Sequence, residues 1–151
     1  MTKKAKEILI SIDEMAGLNQ RIYVDSNCTG LVQSILAITK NTKVYDISHL
    51  TGKTNSLDKE IHNALQDIDI KLLVFVTKNS KHFDIRKLRS ASKYYLICIL
   101  GEEIFNDIIA KHIVDACRYD PELKVIRGQD DTYPVIYIDH KYIRKLKRLK
   151  K

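Results

Sequence analysis

The sequence predicts a three-layer α/β domain, with helices on both sides of a mainly parallel central sheet, and three observations carry that prediction. Segments of strand character alternate with segments of helical apolar spacing through most of the chain, the pattern of parallel strands joined by crossover helices. Two strand segments, LLVFVT at 72–77 and YYLICIL at 94–100, are apolar almost throughout, as strands covered on both faces are. The chain has 151 residues, 44% of them hydrophobic and 30% charged, which fits one globular domain rather than a disordered or collagen-like chain.

The elements follow in order. Ala5, Ile8, Leu9, Ile12, Met15 and Ala16 recur at helical spacing, with Gly17 and Asn19 as a stop, so an N-terminal helix is expected. RIYVD at 21–25 reads as a strand ending on an acid. Leu31, Val32, Ile35, Leu36 and Ile38 then give a helix its apolar face. KVYDI at 43–47 is a second strand, followed by a polar loop to Asn55. Ser56 is placed to cap a helix whose buried face is Leu57, Ile61, Ala64, Leu65 and Ile68. The two apolar strands come next, separated by a turn and a short helix at 85–88, and Gly101 ends the second. From 102 to 118, Ile104, Phe105, Ile108, Ile109, His112, Ile113, Ala116 and Cys117 share one helix side, with Glu102 and Glu103 at its positive end. Residues 123–126 and 135–138 read as strands around RGQDDTYP, in a hairpin arrangement.

Charge is distributed unevenly. The 26 Lys and Arg against 19 Asp and Glu give +7, yet Lys141, Arg144, Lys145, Lys147, Arg148, Lys150 and Lys151 supply seven cations and no acid sits among them. Positions 1 to 140 are therefore neutral overall. This divides the chain into one domain, 1–140, and a basic tail, 141–151. The tail has Tyr142 or Ile143, Leu146 and Leu149 three to four apart, a basic amphipathic helix. Its uses are phosphate contact along a nucleic acid, adsorption to an anionic surface, or docking by its leucines with the lysines in water.

No stretch approaches the ~18 apolar residues of a membrane span. The apolar run after the basic 1–6 segment is broken by Asp13 and Glu14 and lacks a cleavage site, so no secretory signal is expected. Cys28, Cys98 and Cys117 are odd in number and widely spaced, which fits a reducing cytoplasm. Cys98 and Cys117 read as core residues.

In an open parallel sheet the functional crevice lies beyond the carboxyl ends of the strands. The polar residues expected there are Asp25, Ser26 and Asn27, then Asp46, then Thr77, Lys78 and Asn79, with Asp58 and Glu60 opening a helix towards the same rim. Such an oxygen-rich set suits Mg²⁺ or Mn²⁺. Each also has an ordinary reading: Asp46 and Asp58 start turns and helices, and Asn79 serves a turn.

IYVDSN resembles the first motif of PIN domains, a strand followed by D-x-N. LDKEIHNAL is similar to the D-x-x-I-x-x-x-A helix of PIN ribonucleases, and LLVFVTKNSKHFD to their apolar strand followed by T-x-N-x-x-H-F. The pieces occur in the family's order over residues 21 to 100. VYDISHLTG, leading to Asp58 and Glu60, is closest to the short PIN-like proteins related to VapC-type toxins. The resemblance implies a PIN-like fold and metal-dependent hydrolysis of RNA phosphodiesters. It makes Asp25 and Asp58 ligands of Mg²⁺ or Mn²⁺, gives Asp46 and Glu60 a secondary place, puts Asn79 after the third strand, and has Thr77 orient neighbouring carboxylates. Asn79 is a departure from the most acidic form of the motif. The implied partners are RNA and an antitoxin-like protein. The N-terminal helix and the helix ending near Arg118 are candidate homodimer surfaces. The alternative is a PIN-like module without catalysis that binds nucleic acid or a protein. A receiver-like reading of V-D-S-N is set aside, because the third strand ends on Val76-Thr77 rather than a phosphoacceptor Asp.

Overall fold

The computed structural model describes residues 8–9, 17–78, 93–101, 105–127 and 133–151. Its centre is a five-stranded parallel sheet made of β2 (Arg21–Val24), β3 (Val44–Asp46), β4 (Leu73–Thr77), β5 (Tyr95–Ile99) and β7 (Val135–Ile138). The order is β3-β2-β4-β5-β7, and every neighbouring pair is parallel. Numbered by position along the chain within this sheet, that is 2-1-3-4-5, one of the common orders of doubly wound sheets. The two strands of continuous apolar sequence, β4 and β5, lie at the centre and are buried at every position, which is why neither shows the alternation of a half-exposed strand.

Alternate residues serve the two faces. Ile22, Val24, Val74, Val76 and Ile97 pack against α1 (Gly30–Ile38), α4 (Asn106–Tyr119) and α5 (His140–Leu149). Tyr23, Leu73, Phe75, Leu96 and Cys98 pack against Ile61 and Leu65 of α3 (Asp58–Asp67). A single turn, α2 (Ser48–Thr51), links β3 to the loop before α3. Each large apolar side chain buried in these layers is worth about 1.5–3 kcal/mol, and Ile22, Phe75 and Ile97 are fully buried. No helix among the described residues is long and apolar enough to cross a membrane.

Three expectations are corrected. Ile8–Leu9 form β1, antiparallel to β6 (Val125–Ile126), instead of lying in a helix; the remainder of the expected N-terminal helix lies outside the described residues. Adjacent apolar residues satisfy a helical template and a strand alike, and the long-range partner that decides between them is invisible to local periodicity. The two strands expected as a hairpin also pair elsewhere: β7 joins the edge of the main sheet beside β5, while β6 follows a 3-10 turn (Pro121–Lys124) and pairs with β1. Finally, α4 starts at Asn106 and buries Ala110 and Val114 beside Ile109, Ile113, Ala116 and Cys117, leaving Phe105 60% and Ile108 39% exposed. The apolar stripe is rotated towards the sheet relative to the expected one. The short helix expected at 85–88 lies outside the described residues.

Gly17 shows why a stop signal can be a packing requirement. Its φ is +94°, and a Cβ there would sit 2.3 Å from the Lys40 carbonyl oxygen, so both its backbone conformation and its neighbour demand glycine.

Candidate functional site

The chain reverses direction across the sheet between β2, whose first crossover leads to β3, and β4 on its other side. The crevice beyond the carboxyl ends of these two strands is where a doubly wound sheet binds its ligand. Asp25 follows β2 there, and Thr77 ends β4. The two meet directly: the fully buried Thr77 hydroxyl donates to Asp25 Oδ2 at 2.8 Å, and the Ser26 N–H donates to Oδ1 at 2.8 Å. Asp25 is only half-buried. A buried hydroxyl has to find an acceptor, and here the acceptor is a carboxylate that still reaches solvent.

Asp46 stands on the adjoining strand, its Cα in register with Val24 just before Asp25. Its Oδ1 accepts from the Ser48 N–H at 2.9 Å and its Oδ2 from the Thr29 hydroxyl at 2.7 Å. Burial pushes its pKa up, but the hydrogen bonds from Ser48 and Thr29 outweigh that, and the carboxyl is held below its ordinary value. Thr29 escaped notice in the sequence. A hydroxyl just before an apolar-periodic segment reads as a helix cap, yet it makes no capping bond and reaches across to the neighbouring strand instead.

Cys28 lies at the same rim, its N–H donating to the Asp25 carbonyl at 2.8 Å and its thiol meeting the Lys78 backbone. Burial, with Asp25 adding to it, pushes the thiol up to about 11 against the Lys78 backbone hydrogen bond. It is therefore a neutral thiol and a poor nucleophile at neutral pH. Cys98 and Cys117 are likewise buried and free, each pushed up to about 12 by burial.

Asp58 is the first residue of α3 and is half-exposed. The Tyr94 hydroxyl is pushed up by burial and further by the Asp58 charge. Glu60 is used locally. Its Oε1 accepts from the Leu57 N–H at 2.9 Å, and Oε2 pairs with Lys53. Both partners hold its carboxyl low. This half of a capping box, rather than Ser56, closes the helix start. The Ser56 hydroxyl bonds Thr51 and Lys53 instead. Asn79 lies outside the described residues. Among the described residues, no three His, Cys, Asp or Glu side chains are gathered as metal ligands; Asp25, Asp46, Asp58 and Glu60 do not make one such group.

Comparison with known proteins finds no matching family model, curated relative or solved structure. The fold is α/β, with a five-stranded all-parallel sheet flanked by helices.

The basic residues form the second charged region. Residues 141 to 151, expected as a tail, belong mostly to α5, which Asp139 caps by accepting from the Tyr142 N–H at 2.9 Å. Tyr142 and Leu146 are buried against the first face of the sheet. The Tyr142 hydroxyl donates to the fully buried Asp120 at 2.5 Å, and Asp120 also accepts from the Glu122 N–H at 3.0 Å. Lys150 pairs with Asp115 of α4 at 3.1 Å. Lys141, Arg144, Lys145, Lys147, Arg148 and Lys151 are exposed.

Proposed function

We propose that this protein binds RNA and hydrolyses its phosphodiester bonds at the rim beyond β2 and β4, as a PIN-like ribonuclease dependent on Mg²⁺ or Mn²⁺. The observation that carries the proposal is the bond from the buried Thr77 hydroxyl to Asp25 at the switch point of the sheet. Both Asp25 oxygens are oriented by donors, and the half-buried carboxylate keeps acceptor capacity towards the crevice. Mg²⁺ is commonly held through one or two carboxylates, with waters and substrate phosphate completing its shell. Asp25, with Asp58 and Asn79 as the further donors that the resemblance implies, would suit such a hydrated ion rather than an all-protein cage. A metal held there would supply polarisation of the scissile phosphate and a lowered pKa for an attacking water. Thr77 fixes the angle of Asp25, and Asp46 adds negative charge from the next strand.

A second reading, a nucleic-acid-binding module without catalysis, is favoured by one specific observation: Asp46 and Glu60 use their carboxylates on a turn and a helix start. A cleavage assay on mixed RNAs with Mn²⁺ separates the two. The proposal expects metal-dependent fragments that disappear in Asp25→Asn and Asp58→Asn. Intact RNA with the folded wild-type protein, or cleavage unchanged in both variants, would reject the enzyme.

A further inference from the structure

α5 divides its cations between two sides. Lys147 and Lys150 face α4, where Asp107, Lys111 and Asp115 share a cleft of about 340 Å³ with them, so acids there offset the positive charge. Lys141, Lys145 and Arg148 line a groove of about 430 Å³ against β7, together with Tyr137. Among the described residues one acid, Asp139, faces this groove, and its Oδ1 is occupied by the Tyr142 N–H. These cations stand at i, i+4 and i+7, one side of the helix, spanning about 10 Å at ~1.5 Å per residue. β7 is the edge strand of the main sheet among the described residues, and Tyr137 is 41% exposed on it. Tyr137 alternates with the buried Ile136 and Ile138, so its ring belongs to the opposite face of the sheet from α5 and borders the groove at the sheet edge.

We infer that this groove is a binding site for single-stranded nucleic acid, with phosphates along Lys141, Lys145 and Arg148 and a base against Tyr137. A strand that follows the cations and passes over the open edge of β7 meets the Tyr137 ring on the other side. A row of cations leading to an exposed aromatic ring is a combination that holds single strands without sequence choice. Membrane adsorption is disfavoured, because Tyr142 and Leu146 of the apolar side of α5 are already buried in the core and Leu149, 36% exposed, is too small an apolar surface for insertion. The inference rests on the nucleic-acid part of the proposed function and is independent of catalysis.

Fluorescence anisotropy of a labelled oligouridine, in EDTA so that no metal-dependent step contributes, tests it. Lys141→Ala/Lys145→Ala/Arg148→Ala should weaken binding at least about tenfold at low salt and flatten the log–log salt slope by about 2, at ~0.7 for each phosphate no longer neutralised. Tyr137→Ala should weaken binding about tenfold with the slope unchanged. Arg144→Ala/Lys147→Ala/Lys151→Ala removes equal charge outside the groove and should cost less than about threefold. Circular dichroism of each variant checks folding, and all the substituted side chains are exposed. Equal losses from the two triple variants, an unchanged Tyr137→Ala, or duplex RNA binding as tightly as the single strand would overturn the inference. So would protein that sediments with phosphatidylserine vesicles but leaves the oligouridine free. Because the assay contains no metal, failure of the cleavage proposal leaves its outcome unaffected.

Discussion

At the rim, Asp25 and Asp46 sit on neighbouring strand ends and each takes hydrogen bonds from two protein donors. On α5, by contrast, Lys141, Lys145 and Arg148 extend along a groove in which Asp139 is the acid beside them. The rim therefore holds its charges in fixed directions, as a site for chemistry needs. The groove presents cations on long stems, which suits a flexible polyanion and a salt-dependent affinity. On the proposed reading, attraction and reaction belong to different elements, so each should be removable without the other.

The largest expected effect falls on the rim. Asp25→Asn should lower metal-dependent cleavage by more than about 100-fold, beyond the ~10–100-fold typical of residues that only support a metal ligand, while oligouridine affinity stays as in the wild type. Single-turnover rates and anisotropy on one preparation check both halves. Next comes the anchoring of the basic helix. Tyr142→Phe removes the donor to Asp120 and leaves one oxygen of a fully buried carboxylate without its bond from Tyr142, a cost of about 1–3 kcal/mol in a denaturation experiment. If stability is unchanged, the Tyr142–Asp120 bond is not what docks α5. Thr77→Val keeps the shape of a buried side chain and deletes the hydroxyl that aims Asp25. Cleavage should fall about tenfold, with a stability loss of about 1 kcal/mol; full activity would show that Asp25 is positioned by Ser26 alone.

The smallest effect is a pH dependence. The Asp46 carboxyl is held low in the folded protein, so its contribution to stability is complete above its unfolded pKa, about 4. That contribution is lost as pH falls through the lower folded value, because the folded state then has to take up the proton. Asp46→Asn should therefore lower stability slightly near neutrality and shallow the acid side of the profile, so that variant and wild type converge at low pH. A variant as acid-sensitive as the wild type would remove Thr29 and Ser48 from the account of the rim.

The same contrast shows what could be read from residues alone. The central strands β4 and β5 were legible because continuous apolar runs bounded by polar turns suit only a doubly covered position. The strand-end placement of Asp25, Asp46 and Thr77 followed from that pattern. The reach of Thr29 to Asp46 was not legible, since hydroxyls before helices ordinarily serve as caps. β1 was misread because its partner β6 lies more than a hundred positions away, beyond any local window. The seven basic residues were visible as a block, but the division of five of them between a groove and an acid-bearing cleft depends on which side of α5 meets β7 and which meets α4.

The most direct test of a division between binding and chemistry is single-turnover RNA cleavage with Mn²⁺, measured against protein concentration for the wild type, Asp25→Asn and Lys141→Ala/Lys145→Ala/Arg148→Ala. The account predicts that the groove variant needs at least about tenfold more protein for half-saturation and reaches the same maximal rate. It predicts that Asp25→Asn binds RNA as the wild type does and does not cleave it. Cleavage by Asp25→Asn at the wild-type rate, or a groove variant that saturates normally and turns over slowly, would contradict it.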